Sequence, residues 1–542
     1  MRTVAIAALA VFAALACIAL APAAHAAGAP AALAAATSAP VPVAAPATPP
    51  AIRYGLVVQE STPLRAAPRA AGMPLATLGQ GELVELRGTR MDYLQVYDTT
   101  IERGGFVRAA SIRPLALDAA EAPELLALLR FLRDRPGMEA LGLGVGAAWL
   151  KAAPAGTITA EGFDAMGTMA ERLAWRANAA AVRTTGGAAR AGDAAIAAQL
   201  QVAAGLGVHF DSLEREGAVL LCYDGDAFRH ALALAPTPAQ ATRAVLALTR
   251  PDCIAPELPP LRRWQLDHAN AALLARVDET GLAPYERNRL RLRRASVWAA
   301  IAFEDSRRLA VEPAAAAPTP GLPRVTAADV RHAGEEALAA LAGVALAELA
   351  DDDQAVYTEA AVRVGASRWA AEPAPAAAPA AGPSILTQPG EPGETCVLLV
   401  DAKHGAAAPL ARRCTYGTVW TASARGDASG AALALAVQPL AAWRELWLFR
   451  KTAGGWTVQV LPPGDDASGP GYVEFAGWVP GKRQLIVARE ARDAAHGGRL
   501  ARSFELLDAD TLATLRRAGS PGTLAAFRWQ DPAWKRVTVS LR

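Results

Sequence analysis

Cysteine is scarce in this chain, five residues in 542, with only six methionines, seven histidines and eight tyrosines beside it. No C-x-x-C occurs and no cysteines and histidines share zinc-site spacing, which excludes a zinc ribbon, a zinc finger and a thioredoxin-type redox motif. Beyond the leader the histidines are His209, His230, His268, His332, His404 and His496, widely scattered. None forms H-E-x-x-H, and HAGEEAL at 332–338 has the wrong offset to place two imidazoles and a base around one zinc. No G-x-S-x-G elbow is present to expose a serine nucleophile. Excess charge of one sign is missing as well: 54 Lys and Arg against 52 Asp and Glu leave +2. Such a chain carries no general signal for a polyanion, so neither nucleic acid nor an anionic lipid surface is expected as a partner. After the first twenty residues no run approaches the ~18 apolar residues that a membrane span requires.

The one long apolar run is at the start. Arg2 supplies a positive end, Val4 to Leu20 is almost wholly apolar, and Ala24-His25-Ala26 offers a small-x-small cleavage site. This is the layout of a secretory signal peptide over residues 1–26. The rival is a lipoprotein acylated at Cys17, for which Ala14-Leu15-Ala16 places leucine one position off the usual lipobox. The mature chain is expected to be periplasmic or secreted, with no integral span after cleavage. Removing the leader removes only Arg2 among the charged residues, leaving +1.

Four cysteines then remain, Cys222, Cys253, Cys396 and Cys414, and an even count in an oxidising compartment argues for disulfides. Asp224 to Leu234 and Pro238 to Thr249 read as two helices joined by a tight turn. Antiparallel packing brings the start of the first beside the end of the second, where Cys222 and Cys253 lie. Cys396 opens the strand-like CVLLV, and Cys414 sits at the edge of TYGTVW across an Ala/Gly-rich loop. The expected pairs are Cys222–Cys253 and Cys396–Cys414. The competing reading is a thiol nucleophile at Cys222 served by His230 or His268.

Composition marks the organisation. Residues 27–51 are uncharged Ala, Pro, Ser, Thr and Val, a disordered or extended linker; PAAAAPTPGLP at 313–323 and the stretch 372–391 are further soft segments. Residues 53–115 hold short alternating apolar runs separated by Gly and Pro, which predicts a small β-barrel. Residues 119–370 read as an all-α domain. Leu125, Leu128, Leu129 and Leu132 share a face behind Pro123; Phe163, Met166, Met169 and Leu173 follow the cap Thr159; Thr237 precedes Pro238; Thr326 and Asp329 have capping-box spacing. Many Ala-rich helices with short links predict an orthogonal or antiparallel bundle. From residue 392 the period becomes two, with CVLLV, GTVWTAS, ALALAVQ, RELWLFR, WTVQVL, YVEFAGW, RQLIVARE, RSFELLD, FRWQD and RVTVSL as strands. Ten short strands predict an all-β domain, an incomplete propeller or a sandwich.

Some stretches mimic chemistry. GLGVGA at 142–147 fits G-x-G-x-x-A, but a dinucleotide site needs a strand before it, and a helical segment precedes it here. It reads as a small-residue helix junction. In RNRLRLRR at 287–294, Arg289 and Arg293 flank one margin of an apolar face and Arg287, Arg291 and Arg294 the other, their heads expected in water. DDD at 351–353 lacks the spaced oxygens of a calcium loop and reads as solvated. No catalytic residue, cofactor or metal ligand is assigned.

In residues 53–115 the landmarks Leu64-Arg65-Ala66-Ala67-Pro68, Gly81 to Leu86, Tyr93 to Val96 and Gly105-Phe106-Val107 fall in the order of bacterial SH3-like domains, which this stretch resembles. Tyr93 and Phe106 stand where that family often has Trp; they either fill the barrel core or reach a ligand. The resemblance implies a binding module that contacts cell-wall peptides or glycan. GWVPGKRQLIVAREA followed by RSFELLDADTLATL resembles a blade of β-propeller repeats found in periplasmic proteins. The expectation is an exported envelope binding or scaffold protein that docks on cell wall or a wall-associated protein. The alternative is a cell-wall hydrolase or peptidase with its site in 119–370.

Overall fold

Alternation of apolar and polar residues in the first described stretch winds into seven short strands. They are β1 (Arg53–Val57), β2 (Ser61–Leu64), β3 (Ala76–Gly79), β4 (Leu83–Arg90), β5 (Tyr93–Asp98), β6 (Arg103–Arg108) and β7 (Ile112–Leu115). The computed structural model describes residues 53–184, 191–215, 217–311, 323–373, 382–464, 469–493, 499–531 and 534. The expected signal peptide, the 27–51 linker, nearly all of 313–323, residues 374–381 and the expected strand RVTVSL lie outside the described residues. Five strands form an antiparallel sheet in the order β6-β5-β4-β1-β7, and the β2–β3 hairpin joins β6 through a bridge between Arg65 and Phe106. Val57, Leu64, Leu78, Val84, Val96, Val107 and Ile112 fill the space between them.

The middle region holds α1 (Ala122–Arg133), α2 (Glu139–Ala152), α3 (Ala160–Thr184), α4 (Ala191–Gly205), α5 (Asp226–Ala233), α6 (Pro238–Leu248), α7 (Pro260–Ala275), α8 (Pro284–Val311), α9 (Ala327–Ala342) and α10 (Gln354–Ser367). Local chemistry sets several starts. Thr237 and Gln240 exchange side-chain and backbone hydrogen bonds at the head of α6, and Thr326 and Asp329 do the same for α9. The region is not all helix: a hairpin of β8 (Phe210–Arg215) and β9 (Ala218–Tyr223) interrupts it. Its VLLCY run, apolar and bounded by the strand formers Val219 and Tyr223, follows Gly217, and Asn178 of α3 holds it by exchanging hydrogen bonds with the backbone of Leu221. None of the described helices is long and apolar enough to cross a membrane.

Helix α2 explains GLGVGA. Residues two apart in a helix face nearly opposite ways, while residues four apart share a face. A Cβ at Gly142 or Gly146 would meet the Sδ of Met169 or Met166 on α3, at 2.2 and 2.5 Å. One at Gly144 would lie 2.1 Å from the carbonyl oxygen of Gly81, in the β3–β4 turn. Gly81 itself sits at φ +97°, a conformation that L side chains rarely adopt. The small residues therefore let one helix touch α3 on one side and the N-terminal strands on the other. Leu56 and Leu115 join the helical core at this contact.

In the C-terminal region β10 (Ser384–Pro389), β11 (Thr395–Val400) and β12 (Ala411–Thr415) make a three-stranded sheet. The remaining strands are β13 (Thr418–Gly426), β14 (Ala432–Leu440), β15 (Trp443–Thr452), β16 (Gly455–Leu461), β17 (Gly471–Trp478), β18 (Gln484–Asp493), β19 (Arg499–Asp508) and β20 (Thr514–Ala518). They form two antiparallel meanders, β13 to β16 and β17 to β20, joined by a short parallel contact of Trp443 and Arg444 with Gly471 and Tyr472. Among the described residues the sheet does not close. FRWQD is a 3-10 turn over Ala525–Trp529 and not the expected strand, because Leu524 and Phe527, three residues apart, both enter the core with Phe504. Trp420 and Ala436 share a core with the helices, as do Tyr472 and Val362.

Gly144→Ala is expected to destabilise the protein by about 1–3 kcal/mol through overpacking, although alanine alone would favour a helix interior by ~1 kcal/mol. Denaturant midpoints of the two proteins check this; a higher midpoint for the variant would show that the turn at Gly81 yields freely.

Candidate functional site

Between the end of α10 and the large sheet lies a cavity of about 320 Å³. Beside it lies a cluster of three charged side chains that sequence reading missed, of which Arg368 and Glu474 line the cavity. Arg368 follows α10 in a 3-10 turn, Arg444 lies on β15 and Glu474 on β17; they are 4%, 0% and 1% exposed. Arg368 donates from Nε and Nη2 to the two oxygens of Glu474, at 2.9 and 2.6 Å. Arg444 donates from Nη2 to the same carboxylate and from Nη1 to the carbonyl of Gly365 at 2.8 Å. Burial alone would raise the Glu474 carboxyl, but the two guanidinium groups hold it below its usual range. Burial lowers the Arg444 guanidinium, against the attraction of Glu474.

Two positive groups thus share one negative group, and the buried cluster carries a surplus charge of +1. The surplus is matched by spare donors. Nη1 of Arg368 and Nε1 of its neighbour Trp369 are buried without a hydrogen-bond partner, an arrangement rare in folded proteins. Phe475 and Leu446 supply apolar wall, Ala422 and Ala436 leave room, and Arg425, 3.6 Å from Asp531, stands at the partly exposed rim. One local signal existed for Glu474, which interrupts GYVEFAGW, a run otherwise apolar on both faces; Arg444 stands beside a second charge, Glu445, in WRELWLF.

The expected cysteine pairs are both at disulfide distance, Cys222–Cys253 with sulfurs 2.06 Å apart and Cys396–Cys414 with sulfurs 2.02 Å apart. Cys222 therefore offers no thiolate to His230 or His268. Cys396 and Cys414 are also the cross-strand partners of β11 and β12. Among the described residues the sole group of three potential metal ligands is Glu394 with these two bonded cysteines. His230 stacks on Phe163, His332 lies against Trp298, His404 pairs with Asp401, and His496 lies outside the described residues.

The basic run keeps Arg289 exposed as expected but turns most of its heads onto neighbours. Arg289 reaches Asp353 at 2.8 Å, Arg291 and Arg294 both reach Glu279, and Arg293 donates to the carbonyl of Leu246 at 2.9 Å. Helix α8 is wrapped by α6, α7, α9 and α10, so the margin of Arg291 and Arg294 and the position of Arg293 face neighbours. Burial pushes the Arg293 guanidinium down to about 10, with Asp252 opposing. For the same reason Asp353 of the DDD run is buried, while Asp351 and Asp352 are exposed as expected. His268 lies beside Asp305 at 3.7 Å, and Trp264 donates its indole proton to Asp305 at 2.6 Å. Burial opposes the His268 charge, but Asp305, the Trp264 carbonyl and Asp267 together outweigh it and raise the imidazole.

In the N-terminal strands Tyr93 is buried and Phe106 half-buried, so the first fills the core and the second borders the surface. Met73 and Met91 are 90% and 77% exposed, with Leu75 exposed near Met73. Beneath the β3–β4 turn, burial pushes the Glu82 carboxyl up to about 7, opposed by a backbone hydrogen bond at Gly79 and aided by Asp98. Comparison with protein-family models, curated proteins and solved structures finds no match to the chain.

Glu474→Gln leaves two buried guanidinium groups uncompensated and is expected to destabilise the protein by about 3–5 kcal/mol, read from denaturant unfolding. An unchanged midpoint would mean that the cluster is already neutralised from elsewhere. Glu82 behaves oppositely. Its folded value lies above the unfolded one, so its contribution is complete below about 4.5 and is lost as the pH rises through about 7. Glu82→Gln should therefore gain stability relative to the parent between about pH 5 and about pH 8, as thermal midpoints measured across that range would show.

Proposed function

We propose that this is an exported, non-enzymatic binding protein of the cell envelope that docks through an SH3-like barrel, residues 53–115, onto cell wall or a wall-associated protein. The observation that carries the reading is the ordered set of landmarks from Leu64-Arg65 to Gly105-Phe106-Val107. The β2–β3 connection leaves Met73 and Leu75 on the surface and the β4–β5 turn leaves Met91 there, exposed apolar side chains of the kind that contact sites use. The leader and the two cysteine pairs support a periplasmic or secreted location, since reducing compartments keep thiols free. We read the two four-stranded meanders of the C-terminal region as two blades of an incomplete propeller, available with the helices to engage a partner.

A second reading, a cell-wall hydrolase with its site in 119–370, is favoured by one observation. Asp267 and Glu304, on α7 and α8, are both raised by burial, against nearby arginines, close to the His268–Asp305 pair. Raised carboxyls beside an oriented imidazole are what acid–base chemistry requires.

Isolated sacculi separate the readings. The full chain is expected to sediment with sacculi, and Met73→Glu with Met91→Glu to weaken that binding about tenfold or more. Equal binding by the double variant removes the proposed surface. Release of muropeptides by the parent, lost in Asp305→Asn, would replace the first reading with the second.

A further inference from the structure

We infer that Cys396–Cys414 is a thiol–disulfide exchange site, opened by a dithiol that attacks Cys414 and releases Cys396. The site shares no residue with the N-terminal strands and does not depend on what they bind. Three observations converge on it. The first is register. Cys396 and Cys414 are directly opposed on the antiparallel strands β11 and β12, and such positions hold Cα atoms only ~4.5 or ~5.5 Å apart. Here the Cα atoms are 3.9 Å apart, below the ~4.4–6.8 Å that disulfides usually span. Departures from that range make the bond easier to reduce. Cys222–Cys253 is the internal contrast. Cys253 lies in a 3-10 turn outside any sheet, and its Cα is 5.8 Å from that of Cys222.

The second observation is access. Strand β12 ends the three-stranded sheet β10-β11-β12, and Cys414 is half-buried on it. Cys396 is fully buried, beside Gly390, where a Cβ would lie 2.8 Å from its sulfur. An incoming sulfur therefore meets Cys414, and Cys396 is the group that leaves. The third observation is charge at the leaving sulfur. Arg412 donates from Nη2 to Sγ of Cys396 at 3.2 Å, and a cation there favours the departing thiolate. Glu394 opposes it from 3.9 Å, farther away and already accepting the backbone N–H of Glu391. A thiolate of the dithiol attacks Sγ of Cys414, and a mixed disulfide forms as the Cys396–Cys414 bond breaks. Cys396 takes the electron pair of that bond. The second sulfur of the dithiol then displaces Cys414. The dithiol ends as a disulfide and the pair as two thiols, its two protons passing with the two electrons. Strand β12 is thereby freed from its covalent tie to β11.

The test uses the full chain under native conditions and two probes, the dithiol dithiothreitol and the monothiol glutathione, followed by alkylation and peptide mapping. Dithiothreitol is expected to open Cys396–Cys414 about tenfold or more faster than Cys222–Cys253. Glutathione is expected to leave its mixed disulfide on Cys414, trapped by alkylation of Cys396. Arg412→Gln should slow the opening about threefold or more, and Glu394→Gln should speed it by a similar factor. A substitution that merely loosens the small sheet would speed the opening, so the opposite signs separate charge from loosening. Equal or faster opening of Cys222–Cys253 or a glutathione adduct on Cys396 would overturn the inference. So would opening of Arg412→Gln at or above the parent rate, or slower opening of Glu394→Gln.

Discussion

Glu474 is a single carboxylate on which the joint between helices and large sheet depends. Through Arg368 it reaches the turn that ends α10, and through Arg444 it reaches the neighbouring strand β15. Arg444 then returns to the helix, donating to the carbonyls of Gly365 and Ala366 at 2.8 and 3.3 Å. Those carbonyls are among the last of α10, where the helix presents its negative end and has no internal donors left. Gly365 follows from the same contact: a Cβ there would lie 2.6 Å from the ring of Tyr472. An apolar joint would tolerate sliding by a residue, but a bidentate ion pair with a carbonyl bond behind it permits one register.

This polar joint sits inside a large apolar contact. Val362 and Ala366 on α10 pack with Tyr472, Ala476 and Phe504, while Trp369 packs with Trp420 and Ala436. At the other end of the helical region, α2 presses its glycine faces against α3 and against the turn at Gly81. The two joints use opposite means. One brings backbones together by removing side chains, and the other fills the gap with long charged ones. Both keep neighbouring regions in close contact with no soft segment between the contacting surfaces.

What could be read from the sequence was local. Thr237 before Pro238, Thr326 with Asp329, and Pro123 near the start of α1 act within one helical turn, and each helix begins where that chemistry says. The period-two runs from CVLLV to RSFELLD formed strands because alternation needs only a partner of the same pattern. The cysteine pairs were legible because each closes a short excursion between adjacent elements. What failed was long-range. Arg368 and Glu474 stand 106 residues apart, and neither segment announces the other. The basic run on α8 looked hydrated because amphipathic reasoning assumes one open face, which four packed helices remove. FRWQD looked like a strand because an aromatic-rich pentapeptide fits either period, and only the buried spacing of Leu524 and Phe527 decides.

Each disulfide closes a loop inside one region, its cysteines separated by 31 and 18 positions in sequence, and neither spans a joint. For a molecule pulled from its two ends this placement sets the mechanics. The bonded loops cannot be drawn out, which withholds roughly 100 Å and roughly 60 Å of contour length at ~3.4 Å per residue. The joints, held by packing and one ion cluster, carry no covalent tie. Under load the chain would therefore part between regions first and lengthen in steps, while the hairpin at Cys222 and the small sheet at Cys396 stay closed as short fixed links.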